Sequence, residues 1–296
     1  MGVFSNTDVS VVVCTKNSIS GIEDCLKSLR ESLVGEIIVV DADSTDGSKQ
    51  IAESLADEVI EDLGIGLGNA RNMGIAVSSH PLVLNMGSDN LLPPNQLQRM
   101  IGFLVAGNFS GVSAQTRVQG SSYNSRGLNA WREGRFPTGQ RAVIGTPTLF
   151  LGDVLRQNPY DSSRMFSDDS ELCERWKREF GAIFAISDAY VEEIGKTTWR
   201  EIRIRARMYG VSDHETYRAG NKSWDLGRKI HSLLHPLNAD FLTPVRALPV
   251  RDAVVFTPFL AEFTFLRYGG WIRAAFKRDP DNNTEPSSPD SDNFSQ

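Results

Sequence analysis

Short apolar runs alternate with helical patterns through the first third of the chain, and no other feature of the sequence constrains the fold as strongly. The runs VSVVVCT (9–15), EIIVVDA (36–42) and PLVLNM (81–86) are rich in Val, Ile and Leu and apolar on both faces, as buried parallel strands are. Amphipathic segments such as IEDCLKSLRES (22–32) lie between them. The pattern predicts an α/β fold with a mostly parallel sheet flanked by helices.

Further elements and boundaries are predicted along the rest of the chain. A helix opened by Pro93 and Pro94 is expected to run to 105, and a helix over 168–180 precedes a short strand at 182–187. After Gly107 the alternation fades, and the Gly- and Arg-rich stretch 120–141 is expected to be irregular. The predicted parts are an N-terminal extension (1–8), an α/β domain (9–220) with halves 9–106 and 107–220, a helical C-terminal extension (221–278) and a disordered tail (279–296).

Charge and cysteine content argue against several classes of protein. With 31 Lys and Arg against 37 Asp and Glu, the formal net charge is -6, so no nucleic-acid partner is expected. The three cysteines are odd in number and show no CxxC spacing, so neither a disulfide framework nor a zinc site is predicted. No signal peptide or bilayer-spanning run is recognisable, and we predict a cytoplasmic location.

The C-terminal part combines an apolar stretch with an acidic end. Residues 253–266 (AVVFTPFLAEFTFL) are too few to span a bilayer. They are expected to pack against the domain or a second subunit, as in a homodimer, or to attach peripherally to the cytoplasmic face of a membrane. The last 18 residues, from Asp279, hold five acids, three prolines and no Lys, Arg or His, which predicts disorder.

Polar and acidic side chains follow three of the predicted strands. They stand in the segments Cys14-Thr15-Lys16-Asn17, Asp41 to Gly47, and Gly87-Ser88-Asp89-Asn90. Some of them are also suited to capping the next helix. Ligands of open parallel sheets bind at the carboxyl ends of the strands, and carboxylates facing one crevice repel unless a cation or ligand shares it. A nucleotide with a divalent metal would supply both.

Two of these segments resemble signatures of the family 2 glycosyltransferases, whose fold is called GT-A. VSVVVCTKN is similar to the opening strand of the family, and EIIVVDADSTDGS is similar to its second-strand signature. The likeness covers 9–105 strongly and 145–191 more loosely. It implies an inverting transfer from a nucleotide-sugar donor, bound by the half 9–106, to a glycan or lipid-linked acceptor at the half 107–220.

The resemblance also implies a set of nucleotide contacts. It places Asp41 at the uracil ring N–H and the first-strand residues in the same pocket, and Ser88 at the ribose. GIGLGNARNMGIA (64–76) is similar to the glycine-rich turn and helix start of the family, where backbone amides and Arg71 would bind the diphosphate. The predicted nucleotide-binding residues are Cys14, Thr15, Lys16, Asp41, Asp43, Gly68, Arg71 and Ser88.

Metal and base residues follow from two further motifs. In PLVLNMGSDNLLPP only Asp89 remains of the metal-binding acids of the family, and it would bind Mg²⁺ or Mn²⁺. DDSELCERW is similar to the acidic motif that makes Asp169 the general base and Asp168 its neighbour, although both acids would also suit a helix N-terminus. A metal-binding histidine of the family is replaced by Glu192 or Glu193, of which we predict Glu193, with His214 as a weaker candidate.

Two other functions remain open at this point. A dinucleotide-dependent oxidoreductase would share the βαβ units and an acid at Asp41, but its glycine fingerprint belongs after the first strand, where this chain has CTKNSISG. A non-catalytic nucleotide-binding homologue is suggested by Gly87, which replaces the first acid of the metal motif.

Overall fold

The structure is a computed structural model that describes residues 4–62, 64–162, 168–195, 197–221 and 223–276, so the expected acidic tail lies outside the described residues. The strands are β1 (Val9–Thr15), β2 (Glu36–Asp41), β3 (Glu58–Glu61), β4 (Leu82–Gly87), β5 (Asn90–Leu91), β6 (Gly111–Val118), β7 (Gly139–Arg141), β8 (Thr148–Leu151) and β9 (Phe184–Glu193). The helices are α1 (Ile22–Glu31), α2 (Ser48–Leu55), α3 (Leu67–Val77), α4 (Gln96–Ala106), α5 (Tyr123–Arg135), α6 (Gly152–Gln157), α7 (Asp168–Phe180), α8 (Trp199–Gly220), α9 (Leu226–Pro236), α10 (Thr243–Ala247) and α11 (Val250–Phe276). A 3-10 turn at Asn6–Asp8 and a π-helical turn at Leu237–Leu242 complete the regular elements of the described residues.

The strands form one sheet in the order β3-β2-β1-β4-β8-β6-β9-β5, with β7 paired to β9. The first four strands are parallel, as the apolar runs predict. Strand β8 enters antiparallel between β4 and β6, and β5 and β7 pair antiparallel with β9. The α/β fold class is confirmed. The second half makes the sheet mixed. The sequence pattern did not distinguish this, because antiparallel strands buried on both faces carry the same apolar pattern as parallel ones.

Helices cover both faces of the sheet, which explains why its strands are apolar on both sides. One core joins alternate residues of β1, such as Val11 and Val13, to α1, α2 and α4. The other joins Val12 and residues of β2 to α3, α6 and α7, with Trp176 fully buried. The alternation of neighbouring β1 residues between the two cores is the two-residue period of a strand.

Three expectations about local structure are corrected. Helix α4 begins at Gln96 rather than at the two prolines, because Asn95 takes a positive φ of 65° and makes the turn that starts it. The stretch 120–141 is not irregular: it contains the whole of α5, whose Ser122 cap accepts a hydrogen bond from Ser125 N and whose Trp131 is buried. The strand expected at 182–187 is longer and ends at Glu193, because its second half pairs with β6.

A third core attaches the C-terminal helices to the domain. It joins Trp131 of α5 to the aromatic face of α11, which includes Phe259 and Phe263, and to α8. Arg267 of α11 forms ion pairs with Asp213 of α8 and with the fully buried Asp240. The apolar stretch 253–266 therefore packs against the domain along one face. Within the described ranges, every helix falls short of the length or apolar character that crossing a bilayer requires.

Candidate active site

The register of the parallel strands brings the predicted polar segments to one edge of the sheet. Thr15 stands opposite Asp41 at the ends of β1 and β2, and Cys14 stands opposite Gly87 at the end of β4. The loops that follow these three strands are therefore neighbours, as the rule for open α/β sheets requires.

Hydrogen bonds join the loops after β1 and β2 into one unit. Asn17 N donates to Ser44 Oγ over 2.8 Å, and the Asn17 side-chain oxygen accepts from Thr45 N over 2.9 Å. Ile19 N donates to Asp46 Oδ2 over 3.0 Å. These reciprocal contacts hold the two loops together, and the sequence patterns did not predict them.

Asp41, the last residue of β2, is buried next to this unit, and one of its carboxylate oxygens lacks a hydrogen-bond partner within the part of the chain that the structure describes. Its Oδ2 accepts a hydrogen bond from Ser44 N over 2.8 Å, whereas its Oδ1 is buried and has no hydrogen-bond partner among the described residues. The Oγ1 of Thr15, on the neighbouring strand, is in the same condition. Buried polar atoms normally find partners, so this pair of oxygens is suited to a ligand that brings a donor group.

Helix α3 begins at the cavity and orients Arg71 toward it. Its N-cap residue Gly66 has φ 152° and ψ 166°, a backbone conformation that residues other than glycine rarely adopt. Gly68 lies in the first turn, where amide groups of the helix point outward without intrahelical partners. Leu67 and Arg71, one turn apart, both line the cavity.

The guanidinium of Arg71 is shared by groups from the second half of the chain. Its Nη1 donates to Asp168 Oδ2 over 2.6 Å and to Asp169 Oδ1 over 3.1 Å, and its Nη2 donates to Thr146 Oγ1 over 2.5 Å. The Arg71 and Asp168 side chains are each only 8% exposed, whereas Asp169 is 23% exposed. Of the two acids, Asp169 is thus the one that an entering molecule can reach.

Burial shapes the protonation of this cluster. It raises the pKa of Asp169 above its ordinary value, and the neighbouring Asp168 acts in the same direction. Arg71 opposes this increase because its positive charge favours the carboxylate. A carboxylate with a raised pKa is a stronger proton acceptor than a solvated one.

Tyr160 completes the cluster, and sequence reasoning missed it. Its hydroxyl lies 3.3 Å from Asp169 Oδ1 and 3.2 Å from Asn85 Nδ2, and Arg71 stacks on its ring at 5.1 Å. Asn72 holds the Tyr160 backbone on both sides, donating to its carbonyl and accepting from its amide. The available signal was a pair of asparagines, at 72 and 85, placed on the buried faces of a predicted helix and strand.

Asp89 lines the cavity at the end of β4. Its Oδ1 accepts from Asn90 Nδ2 over 2.9 Å, and Asn90 Oδ1 is buried without a hydrogen-bond partner among the described residues. A Cβ at Gly87 would lie 2.6 Å from the Asn90 amide nitrogen and 2.9 Å from Asp89 Oδ1. The Asn90 and Asp89 side chains therefore occupy the space that a side chain at position 87 would need. The described residues contain no group of three His, Cys, Asp or Glu arranged for a metal ion.

Glu193 is held by two arginines, an arrangement that does not favour its predicted role as a metal ligand. Its carboxylate pairs with Arg132 at 2.6 Å and with Arg205 at 2.5 Å, and it is 7% exposed. Although burial alone would raise its pKa, these two arginines together lower the pKa to about 2. A cation at Glu193 would have to displace the arginines or share the carboxylate with them.

The weaker metal candidates are also engaged elsewhere. Glu192 accepts a hydrogen bond from Gln119 over 2.7 Å, and His214 lies edge-on to Trp271 between α8 and α11.

A cavity of about 600 Å³ lies at this edge of the sheet. Five of the predicted site residues line it, namely Cys14, Lys16, Arg71, Ser88 and Asp89. Asp168 and Asp169 do not line the cavity but contact Arg71, which does. Asp41 lies beside Thr15 on the adjoining strands, and Asp43 is exposed on the loop after β2. Burial raises the pKa of the Cys14 thiol to about 12, so it lines the pocket as a neutral group.

Comparison with known sequences identifies relatives of the first half of the chain. Residues 10–157 match the model of a family described as Glycosyl transferase family 2. The protein EpsH of Bacillus subtilis (strain 168) is 34% identical over 100 residues, which are 31% of this chain and 29% of EpsH. The succinoglycan biosynthesis protein ExoU of Rhizobium meliloti (strain 1021) is 31% identical over 103 residues, 32% of this chain and 30% of ExoU. The match thus spans about a third of the length of each relative.

Solved structures resemble nearly the whole chain. The mannosyltransferase PcManGT from Pyrobaculum calidifontis, in complex with GDP-Man and Mn²⁺, has a TM-score of 0.60 at 16% identity and covers 94% of this chain and 90% of its own. S. aureus TarS 1–349, in complex with UDP-GlcNAc, has a TM-score of 0.50 at 16% identity and covers 89% of both chains. At these identities the resemblance concerns the fold alone.

Proposed function

The chain belongs to glycosyl transferase family 2 and has the GT-A fold, and from this premise we propose that it is an inverting glycosyltransferase. It would transfer a sugar from a nucleoside-diphosphate donor to an acceptor hydroxyl or lipid phosphate. The half 9–106 would bind the donor and the half 107–220 the acceptor, with 221–278 as a helical extension.

One observation carries the proposal: Arg71 from the first half contacts both Asp168 and Asp169 from the second half at the cavity. A transferase needs the activating base beside the donor site, and this contact supports that proximity. The same contact supports a role for Arg71 in orienting Asp169 in addition to its predicted role at the diphosphate.

The chemistry assigned to Asp169 is proton transfer. As the acceptor oxygen forms its bond to the anomeric carbon, Asp169 takes the acceptor proton, and the bond from that carbon to the phosphate oxygen breaks. The nucleoside diphosphate leaves with the electron pair of that bond. Asp168, closer to Arg71 and less exposed, would keep Arg71 in place rather than meet the acceptor.

Asp41 and Thr15 are assigned to the nucleoside. The buried, unpartnered Oδ1 of Asp41 is suited to accept from a ring N–H of uracil or guanine, since both bases present such a donor. Cys14, Lys16 and Ser88 line the adjoining cavity and would contact the base and ribose. Asp43 and Gly68 remain predicted contacts in the adjoining loop and helix start.

The residues at the end of β4 fit a divalent cation held mainly by the donor. Asp89 is a single carboxylate, and the unpartnered Asn90 Oδ1 beside it is a second oxygen of the kind that Mg²⁺ and Mn²⁺ prefer. Such cations can be bound through one or two carboxylates together with substrate phosphates. When bound, the cation would supply positive charge against the departing diphosphate.

The test is a binding and turnover screen of UDP-sugars and GDP-sugars, since solved structures of this fold were obtained with UDP-GlcNAc and with GDP-Man. We expect one donor to raise the melting temperature and to release free nucleoside diphosphate slowly in the presence of Mn²⁺. The Asp41→Asn variant should lose donor affinity by roughly tenfold or more, since one hydrogen bond to a charged group contributes about 1.5–3 kcal/mol. A protein that binds a donor but never releases nucleotide, with every acceptor class supplied, would be a non-catalytic homologue.

A further inference from the structure

Helix α11 carries apolar residues both on the side that packs against the domain and on a side that faces solvent. The side toward α5 and α8 is buried, with Phe259, Phe263 and Leu266 in the third core. The solvent side carries a stripe of exposed, uncharged residues with the exposed Arg251 at its edge; the stripe comprises Val250, Val254, Pro258, Ala261, Phe265, Gly269, Ile272 and Phe276. These positions recur at three or four residues along the helix and fall within an arc of about 100°. The apolar residues of a surface helix normally lie on the side that faces the core.

Helix α9 has the same property on a smaller scale. Leu226, Ile230, Leu233, Leu234 and Leu237 follow the helical period and are 39% to 73% exposed. Among the residues of α9, only Pro236 is buried. The leucine side of α9 is therefore directed away from the protein, which is the reverse of the usual orientation of an amphipathic helix on a globular domain.

The two stripes adjoin each other. Tyr268 of α11 donates its hydroxyl to the Leu233 carbonyl over 2.9 Å and accepts from Leu237 N over 3.4 Å. Tyr268 lies between Phe265 and Ile272 along α11, so the end of α9 rests beside the exposed stripe. We define the apolar C-terminal face as Leu226, Ile230, Leu233 and Leu234 of α9, Leu237 directly after it, and Val250, Val254, Phe265, Ile272 and Phe276 of α11.

This face concentrates exposed apolar surface in a small part of the chain. Of the 23 large hydrophobic residues that are exposed among the described residues, 11 lie between Leu226 and Phe276. Phe265 and Phe276 are 75% and 83% exposed. Single exposed apolar residues are ordinary on protein surfaces, but a continuous set of this kind marks a site of interaction.

The charges around the face are positive, although the chain as a whole carries a net charge of -6. Between 223 and 276 four arginines are exposed, namely Arg228, Arg246, Arg251 and Arg273. Asp225 is the one exposed acid in that range, whereas Asp252 is half-buried, and Asp225 caps α9 by accepting from Arg228 N. Glu262, beside the stripe, pairs with Arg203 of α8 at 2.9 Å. An apolar surface rimmed by arginines complements a bilayer with anionic headgroups.

We propose that the apolar C-terminal face docks peripherally on an anionic membrane, with the side chains of α9 and α11 entering the boundary between headgroups and acyl chains. A second copy of the chain fits the face less well, because a symmetric pairing would bring the arginine rims of two copies together. The membrane would place the acceptor half of the domain next to the lipid surface. The docking itself needs no sugar transfer, so it can be tested without any substrate.

The experiment is flotation of the full chain with vesicles of phosphatidylcholine alone and with vesicles containing about one-third phosphatidylglycerol. We expect binding to the anionic vesicles that falls at least about tenfold in the double variant Phe265→Ser and Phe276→Ser, because two aromatic side chains no longer enter the bilayer. The matched control changes two exposed apolar residues outside the face, Leu33→Ser and Val77→Ser, and should bind as the unaltered protein does. The double variant Arg251→Gln and Arg273→Gln should bind the anionic vesicles more weakly, whereas its binding to the phosphatidylcholine vesicles should be unchanged.

Three outcomes would overturn the proposal. The folded protein does not float with anionic vesicles, or the Phe265→Ser and Phe276→Ser variant floats as well as the unaltered protein. Alternatively, light scattering finds a dimer that this variant dissociates while no vesicle binding occurs, which would assign the face to a second copy. Circular dichroism and the melting temperature of each variant establish that the chain is folded. Because no nucleotide sugar is present, failure of docking is distinct from failure of the transferase activity.

Discussion

Arg71 Nη1 lies 2.6 Å from Asp168 Oδ2, although 97 residues separate the two in sequence. The same nitrogen lies 3.1 Å from Asp169, so one guanidinium bridges two acids and reduces the repulsion between them in a buried site. This ion pair links helix α3 to the acid pair at the start of α7.

Replacing Asp169 by Asn should separate catalysis from donor binding. The substitution preserves shape but removes the group that accepts the acceptor proton, so turnover should fall by roughly 10²- to 10⁴-fold. The affinity for the nucleoside diphosphate, measured by calorimetry, should change by less than about threefold, because the proposed donor contacts are made by other residues. Near-normal turnover in this variant would exclude Asp169 as the base.

Replacing Tyr160 by Phe should shift the pH profile of the reaction. The hydroxyl hydrogen bond lowers the pKa of Asp169, so its loss should raise that pKa further, while the ring that stacks on Arg71 is retained. A base with a higher pKa is protonated at higher pH, so the acidic limb of kcat/KM should move upward. Tyr123→Phe is the matched control, since the Tyr123 hydroxyl binds the Val255 carbonyl away from the cavity. Identical limbs in the Tyr160 variant and the unaltered protein would argue against this positioning role.

Replacing Asp89 by Asn should affect the metal dependence of donor binding. We expect Mn²⁺ to strengthen the binding of the nucleoside diphosphate in the unaltered protein and to do so by roughly tenfold less in the variant, because the carboxylate is the charged oxygen ligand of that site. Calorimetric titrations with and without Mn²⁺ provide the comparison. Asp188→Asn, which removes an exposed pair with Arg99, should leave the Mn²⁺ effect unchanged. Equal Mn²⁺ effects in all three proteins would contradict a metal at Asp89.

The sequence was sufficient to predict that the ends of β1, β2 and β4 meet, because this arrangement depends on local patterns. Asp41 ends β2 and Asp89 follows β4; both strands are recognisable as apolar runs, and parallel neighbours bring their ends together. The surroundings of Arg71 depend on pairings between distant segments: β8 enters antiparallel next to β4, and this packing places Thr146 and Tyr160 near Arg71. No periodicity in the sequence encodes which strands pair in that way.

Glu193 is a second residue whose surroundings the sequence could not predict. Its position after a short strand suggested an oxygen ligand for a metal, because sequence spacing says nothing about the charge of neighbouring elements. In the fold, Arg132 from α5 and Arg205 from α8 converge on it. The helix that supplies Arg132 lies in the stretch that was expected to be irregular.

Replacing Glu193 by Gln should therefore affect stability, with a defined dependence on pH. The folded-state pKa of Glu193 is about 2 against an ordinary value of 4.5, so its carboxylate contributes stability that is fully present above about pH 4.5 and is lost as the pH falls toward 2. That difference in pKa corresponds to about 3 kcal/mol, and the variant would also leave two buried arginines without their counter-charge.

Denaturant unfolding between pH 7 and pH 2 would measure this contribution. We expect the free energy of unfolding of the variant to be lower by about 3 kcal/mol at neutral pH and the gap to close in acid, because protonation of Glu193 removes the same charge in the unaltered protein. Glu23→Gln, which removes an exposed pair with Lys27, should change stability by less than about 1 kcal/mol at any pH. A gap that stays constant as the pH falls would mean that the loss arises from packing rather than from the ion pairs.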